Sequence, residues 1–202
     1  MFKKTLFAAT VVALCSASAL SQAQEAQPYL FASLGQSDAD LSTGDVVPSG
    51  LGLNSSMDNK DTAWKIGAGL KLNQYFAFEA EYVDLGEVSF RATDGNNNLG
   101  FNAGTEGYGL NGVLTMPLDS FSLFAKLGYH RLETDFDLSV NGFDVISDSQ
   151  TEWVTSFGVG GGYNLGEHVT LVAEFERYRD VGDEYDVDLL SAGIREVYEF
   201  LC

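Results

Sequence analysis

The feature that most constrains this chain is a strict alternation of side chains that starts at Phe76. Within 73–87, NQYFAFEAEYVDLGE, one phase holds Phe76, Phe78, Ala80 and Tyr82, and the other holds Ala77, Glu79 and Glu81. Successive side chains of a β-strand point to opposite faces. The segment therefore predicts a strand with one apolar face and one face that carries two carboxylates. Which of the two faces is inside the protein is the question that the rest of the sequence has to answer.

Seven further segments share this two-residue period, and no segment of any length shows the 3.6-residue period of a helix. Short turns and long polar loops alternate between the predicted strands. The long loops are predicted at 37–60, 86–105, 133–152 and 179–186. Besides the strand that follows Asn73-Gln74, the predicted strands are Pro28–Gln36, Thr62–Leu72, Tyr108–Met116, Phe121–Leu132, Trp153–Tyr163, Val169–Tyr178 and Val187–Phe200.

The polarity of the two phases separates two kinds of barrel. One phase is continuously apolar, and the other carries isolated charges among many glycines. A soluble lipocalin-type barrel needs apolar side chains inside and polar ones outside. A membrane barrel directs apolar side chains to lipid and polar ones to the lumen, with short periplasmic turns and long outer loops. Strands of about 9–11 residues are long enough to cross a bilayer when tilted. The sequence therefore predicts an all-β fold, an eight-stranded antiparallel up-and-down transmembrane β-barrel.

Aromatic residues support this prediction. If the chain ends lie on the periplasmic side, one aromatic residue falls at the outer end of each of five strands. Amphipathic rings favour the membrane–water interface, so we expect one girdle there. Its members are Trp64, Tyr82, Tyr108, Tyr129 and Trp153.

The first residues predict a secretory signal peptide. Lys3 and Lys4 precede a short apolar run, Leu6–Leu20, and Ser21-Gln22-Ala23 offers a small-x-small cleavage site. A membrane anchor would need roughly 20 apolar residues, and a lipoprotein would need a small residue before Cys15. We expect cleavage after Ala23, which divides the chain into a signal peptide at 1–23 and one barrel domain at 24–202.

The mature chain is strongly acidic. Loss of the signal leaves nine basic and 29 acidic residues, a net charge of −20. This charge argues against binding to nucleic acid. Counted over 36–60, 85–106, 133–152 and 179–188, the outer loops hold 18 of the acids and three bases, which indicates a solvated rim. A weaker alternative is that four carboxylates in the last loop share Ca²⁺ or Mg²⁺ with lipid phosphates; these are Asp180, Asp183, Glu184 and Asp186.

The charged phase predicts an ion-paired lumen. Four bases and four acids point inward by the strand phase, and inside a barrel such charges must pair, because an unpaired buried charge is costly. We expect this network to hold the barrel closed. Its predicted members are Lys65, Lys71, Glu79, Glu81, Lys126, Glu174, Glu176 and Arg195.

Three segments carry a resemblance to a known family. YFAFEAEYVDLGE, LFAKLGYHR, and GVGGGYNLGEHVTLVAEFERYRDVGD followed by LLSAGI are similar to the OmpA-like eight-stranded outer-membrane barrels, over Pro28 to about Ile194. The resemblance implies the outer membrane of a Gram-negative bacterium, insertion by the barrel-assembly machinery, and structural, adhesive or weak channel roles. It also implies that Glu79 and Lys126 are lumenal residues of the family pattern.

The sequence departs from that pattern at several positions. Val113, Gly162 and Val172 stand where the family's archetype has further lumenal salt-bridge residues, so its gating behaviour cannot be transferred. We expect only the barrel domain, without the peptidoglycan-binding domain of full-length members. The C-terminus, Phe200-Leu201-Cys202, also differs from the usual aromatic-x-Phe ending.

The sequence therefore predicts a monomeric outer-membrane barrel with a closed lumen and a structural or surface-interaction role. Its expected surroundings are outer-membrane lipid and lipopolysaccharide, with an extracellular partner that contacts the acidic loops. The alternative is a small porin-like channel. An enzyme is not expected, because neither His130 nor His168 has a serine at strand spacing, and no cofactor or metal motif is present.

Overall fold

The computed structural model describes residues 26–40, 54–93, 98–140, 143–181 and 185–198. The predicted signal peptide and the C-terminal residues from 199 onward lie outside these ranges. The described residues form nine strands: β1 (Gln27–Ala39), β2 (Asn54–Asp58), β3 (Lys60–Lys71), β4 (Phe76–Thr93), β5 (Asn98–Leu118), β6 (Phe121–Val140), β7 (Phe143–Asn164), β8 (Val169–Val181) and β9 (Tyr185–Val197).

The strands close into an antiparallel barrel. Each strand from β3 to β9 pairs with the next along the chain, and β1 pairs with both β3 and β9. Strands β2 and β3 are separated only by Asn59, and both pair with β4, so together they occupy one position in the wall. The predicted eight-stranded up-and-down barrel is confirmed. None of the described residues belongs to a helix that could cross a membrane.

Short turns connect strands at one end, here called the turn end. They lie at 72–75, 119–120 and 165–168. The Asn73 side-chain oxygen accepts hydrogen bonds from the amides of Tyr75 and Phe76 at 2.8 and 2.9 Å, which fixes the first turn. Asp119 and Gly166 adopt positive φ angles of 53° and 129° in the other two. The opposite end, toward which the β4–β5 and β6–β7 hairpins extend, is called the loop end.

All four predicted long loops are partly wrong, because strands occupy part of each. In the last one, 179–186, β8 runs to Val181 and β9 begins at Tyr185. Strands β4–β5 and β6–β7 continue as paired hairpins up to residues 93, 98, 140 and 143, and β2 lies within the predicted first loop. The acids of 133–139 alternate with Thr134, Phe136 and Leu138. Beyond the bilayer the outward face of a strand meets water, so acids take the positions that aliphatic residues hold within it. This acidic composition made a strand look like a loop.

The apolar phase faces outward, as predicted. Leu110 and Leu127 on neighbouring strands are 69% and 70% exposed, and leucine, phenylalanine and tyrosine are the most frequent large side chains of the outer wall. In water such a surface would be strongly unfavourable, and apolar exposure of this extent marks a surface that contacts lipid.

The lumen is filled by three layers of side chains. The middle is the charged layer, which includes Glu79, Lys126 and Glu174. Toward the turn end lies an apolar layer of Tyr29, Phe31, Ala77, Val113, Phe124, Val172 and Val197. Toward the loop end lies a second apolar layer of Ala39, Ala63, Val83, Leu85, Leu132, Val154, Tyr178, Val181, Val187 and Leu189. The charges are thus enclosed between two apolar layers.

Candidate functional site

Six side chains of the charged layer form one chain of alternating sign. Lys126 Nζ lies 2.7 Å from Glu79 Oε2 and 3.1 Å from Glu174 Oε1. Lys65 Nζ lies 3.1 Å from the same Glu174 oxygen and 2.7 Å from Glu176 Oε2. Arg195 closes one end, with Nη2 at 2.9 Å from Glu79 Oε1. The order is Arg195, Glu79, Lys126, Glu174, Lys65, Glu176, so each inner member contacts two opposite charges.

Polar and aromatic groups complete this chain. The Tyr29 hydroxyl donates to Glu79 Oε1 at 2.6 Å, and Ser156 Oγ donates to Glu176 Oε1 at 2.8 Å. The Arg195 guanidinium lies 4.8 Å from the centre of the Tyr29 ring, and Lys126 Nζ lies 5.3 Å from that of Phe31. Cation–π attraction thus joins the charged layer to the apolar layer at the turn end.

Glu81 stands apart from the chain. Its Oε1 lies 3.0 Å from His130 Nε2 and 3.5 Å from the Tyr178 hydroxyl, and all three side chains are buried. The His130 and Tyr178 rings meet edge to face with 5.1 Å between ring centres. Among the described residues, Glu81 is the one carboxylate of the charged layer without a lysine or arginine within ion-pair distance.

Lys71 was predicted in the network, and this assignment is wrong for the described residues. It is only partly buried at the turn-end rim, where Nζ lies 5.8 Å from the Tyr29 ring centre, and it forms no ion pair with a described carboxylate. Lys71 is the last residue of β3, six positions from Lys65 along the strand. Strand phase predicts the face of a residue correctly but not its depth in the lumen.

The sequence analysis missed several lumenal polar residues, including Ser156 and four larger side chains. His130 shares the strand phase of Lys126, and this signal could have placed it in the lumen. Tyr29, Tyr178 and Asn111 also follow the lumenal phase of their strands. They were overlooked because tyrosine and asparagine carry no formal charge.

The predicted cation ligands in the last loop are only partly described. Asp183 and Glu184 lie outside the described residues. The carboxylate of Asp186 accepts a hydrogen bond from the Asp180 amide at 3.1 Å and lies 3.9 Å from Arg177, which Asp188 also binds. Cation binding by this loop stays a prediction.

The five predicted girdle residues lie on five neighbouring strands, β3 to β7, and face outward on the loop-end side of the charged layer. Trp64 contacts Tyr82 with 5.5 Å between ring centres, and Tyr82 lies opposite Tyr108 in the β4–β5 register. The Trp153 and Tyr129 rings stack 5.0 Å apart. A second aromatic band, not predicted, surrounds the turn end and contains Tyr75, Phe76, Phe121, Tyr163 and Tyr198.

Solved structures of low sequence identity share this architecture. Neisserial surface protein A is 16% identical, with a TM-score of 0.54, and the alignment covers 87% of this chain and all of that one. The N-terminal barrel domain of OprF from Pseudomonas aeruginosa is 10% identical, with a TM-score of 0.52 and coverage of 88% and 100%. Ail, the attachment invasion locus protein of Yersinia pestis, is 12% identical, with a TM-score of 0.50 and coverage of 85% and 99%.

No curated protein matches the chain by sequence. The sequence model of a protein family does match, and it spans residues 7–200, nearly the whole chain. That family is described as the outer membrane protein beta-barrel domain. Its match agrees with the closed antiparallel barrel, the apolar outer wall and the two aromatic bands. The chain belongs to the family of outer membrane β-barrel proteins.

Proposed function

We propose that this protein is an integral outer-membrane barrel with a closed lumen and a structural or surface-interaction role. The observation that carries the proposal is the enclosure of the charged layer between two apolar layers. An ion would have to break alternating contacts of 2.7–3.1 Å in the charged layer. It would also have to pass two constrictions lined by apolar side chains, which exclude water.

Geometry supports a closed state as well. Eight strands leave an interior just wide enough for side chains. Here Tyr29, Phe31 and Phe124 occupy that interior at the turn end, and Leu132 and Leu189 do so at the loop end. These side chains occupy space that a channel would need, which supports a closed lumen.

Surface interaction is assigned to the hairpins at the loop end. Glu133, Asp135 and Asp137 are exposed on the outward face of β6. This charge favours a cationic partner. A structure of Ail contains the heparin analogue sucrose octasulfate, but such a polyanion would be repelled here, so we expect basic protein surfaces instead.

The remaining surroundings follow from an outer-membrane location. We propose a monomer that the barrel-assembly machinery inserts into the membrane after cleavage of the signal peptide at Ala23. Lipid and lipopolysaccharide would contact the apolar wall between the aromatic bands. A catalytic role is not proposed, because His130 lies between the two apolar layers, where a substrate could reach it only by unpacking the lumen.

The test is conductance of the refolded mature barrel in planar bilayers, after a gel confirms that the folded protein migrates faster unboiled than boiled. We expect silence or rare small openings. Steady ion-selective steps would overturn the closed lumen and favour a small channel lined by Glu79, Lys126 and their neighbours. Glu79→Gln should lower stability, because Lys126 and Arg195 would lose their shared anion.

Shortening the hairpins separates the two candidate functions. A variant that replaces 135–149 by a short turn removes four aspartates of the β6–β7 hairpin and keeps the three lumenal layers. Surface interaction with a basic partner should then disappear while any conductance persists. A matched variant with Asp135→Asn and Asp137→Asn keeps the hairpins and tests their charge alone.

A further inference from the structure

The charged layer contains one carboxylate that its lysines and arginine leave uncompensated. Glu79 contacts Lys126 and Arg195, Glu174 contacts Lys65 and Lys126, and Glu176 contacts Lys65. Among the described residues, the Glu81 carboxylate contacts only the His130 imidazole and the Tyr178 hydroxyl. Four carboxylates therefore face three permanently charged bases, and one further positive charge is needed beside Glu81.

Two metal-ligating side chains flank Glu81. One ligand atom each from Glu81, His130 and Glu176 can be chosen so that all three lie within 4.8 Å of one another, and all three residues are buried. Three atoms at that spacing surround a point about 2.8 Å from each, and a small rotamer adjustment brings them to the 2.0–2.2 Å of zinc–nitrogen and zinc–oxygen bonds. They come from β4, β6 and β8, so only the closed barrel assembles them.

Unpartnered polar atoms point to a ligand at the same place. Glu81 Oε2, His130 Nδ1 and both amide atoms of Asn111 are buried without a hydrogen-bond partner. A Cβ atom on Gly128 would touch Asn111 Oδ1, Ser156 Oγ and His130 Cε1, so these side chains converge over that glycine. Buried polar groups are rarely left unpaired, and this cluster holds several.

We propose that Glu81, His130 and Glu176 bind one divalent transition-metal ion inside the barrel, with Zn²⁺ as its representative. The ion supplies the positive charge that Glu81 lacks. Asn111 Oδ1 lies beside the site and is a candidate fourth ligand, either directly or through a water molecule. The site does not depend on whether the lumen conducts, since it concerns the enclosed charged layer alone.

The donor set favours a transition metal over Mg²⁺ or Ca²⁺. The hard cations prefer six or more oxygen ligands or retain several waters, and the enclosed lumen offers little room for them. An imidazole nitrogen with two carboxylates suits zinc and its neighbours in four-coordinate geometry.

Lys65 and Tyr178 determine how the site can form. Lys65 Nζ lies 2.7 Å from Glu176 Oε2, and its positive charge would repel a metal ion bound to that carboxylate. The same Nζ lies 3.1 Å from Glu174 Oε1. Metal binding would therefore shift Lys65 toward Glu174 without leaving it unpaired. The Tyr178 hydroxyl remains close enough to donate to Glu81.

The experiment uses the full mature barrel refolded from denaturant in the presence of Zn²⁺, because the apolar layers block entry after folding. The folded protein is then passed through EDTA, and its zinc content and thermal unfolding midpoint are measured. We expect about one Zn²⁺ per barrel retained against EDTA, with a midpoint above that of protein refolded in EDTA. No retained zinc would overturn the proposal.

Matched variants locate the ion. His130→Gln and Glu81→Gln should reduce retained zinc at least tenfold. His168→Gln alters the other histidine, which is exposed in a turn, and should retain the ion. Equal retention in His130→Gln would place the zinc on the acidic surface and overturn the proposal.

An NMR measurement tests the site in the unaltered protein, so it does not require the site variants to fold. The chain contains two histidines, so isotope-labelled histidine gives two imidazole signals, which His168→Gln assigns. Refolding with Zn²⁺ should shift the His130 signal and leave the His168 signal in place. The reverse result would contradict the assignment of the site.

Discussion

The two faces of β6 differ in how strictly their surroundings constrain the size and charge of a side chain. Toward lipid the strand presents Leu123, Ala125, Leu127 and Tyr129, which share little beyond being apolar or amphipathic. Toward the lumen it presents Phe124, Lys126, Gly128, His130 and Leu132, each with named partners. Lipid chains adapt to the shape that they cover, whereas the lumen is a closed interior in which every charge and volume must be matched by another side chain.

The largest expected effect is loss of a lumenal cation. Lys126→Met leaves Glu79 and Glu174 with reduced compensation in a buried site, and we expect a loss of about 3–5 kcal/mol in the free energy of unfolding. The measurement is a denaturant titration in lipid vesicles, followed by the gel shift between boiled and unboiled protein. Lys60→Met is the control, since its ion pair with Asp38 is about half exposed and should contribute less than about 1 kcal/mol. Equal losses of unfolding free energy in the two variants would contradict the expectation that a lumenal ion pair contributes more to stability than an exposed one.

Leucine truncation compares the two faces directly. Leu132 is fully buried in the loop-end apolar layer, and Leu127 faces lipid. Leu132→Ala should cost about 2–5 kcal/mol, because a cavity remains in the packed lumen. Leu127→Ala should cost less, because lipid chains fill the vacated space. The same titration measures both, and a larger loss at Leu127 would reverse the comparison.

Added volume gives the smallest expected difference. Gly128→Ala places a methyl group against Asn111 Oδ1 and Ser156 Oγ, so we expect a loss of about 1–3 kcal/mol from overpacking. Gly112 is on the lipid-facing phase of β5, where the nearest atom to an added Cβ is 3.9 Å away. Gly112→Ala should leave the unfolding midpoint nearly unchanged. An equal effect at both glycines would mean that the lumen accommodates volume as freely as lipid does.

The alternation of side chains and the order of the predicted connections were enough to predict the barrel. Every strand repeats the same alternation, so each has an unbroken apolar face that can contact lipid. These two features also predicted that Lys65, Glu79, Glu81, Lys126, Glu174, Glu176 and Arg195 face inward. They failed at Lys71, since depth along the barrel depends on the stagger between strands. They failed again at 133–140, where the environment of the outward face changes from lipid to water within one strand.

The sequence by itself determined which side of each strand contacts lipid. The two-residue alternation is a local property of a strand and does not depend on which other strands pair with it. Only the tertiary structure decided which charges pair, since Lys65 meets Glu176 and Arg195 meets Glu79 across 111 and 116 residues of sequence. It also decided that His130 faces Glu81, whereas Lys71 lies at the turn-end rim. Pairing across a closed barrel depends on register, stagger and the space left by glycines, and these quantities exist only once all the strands are in place.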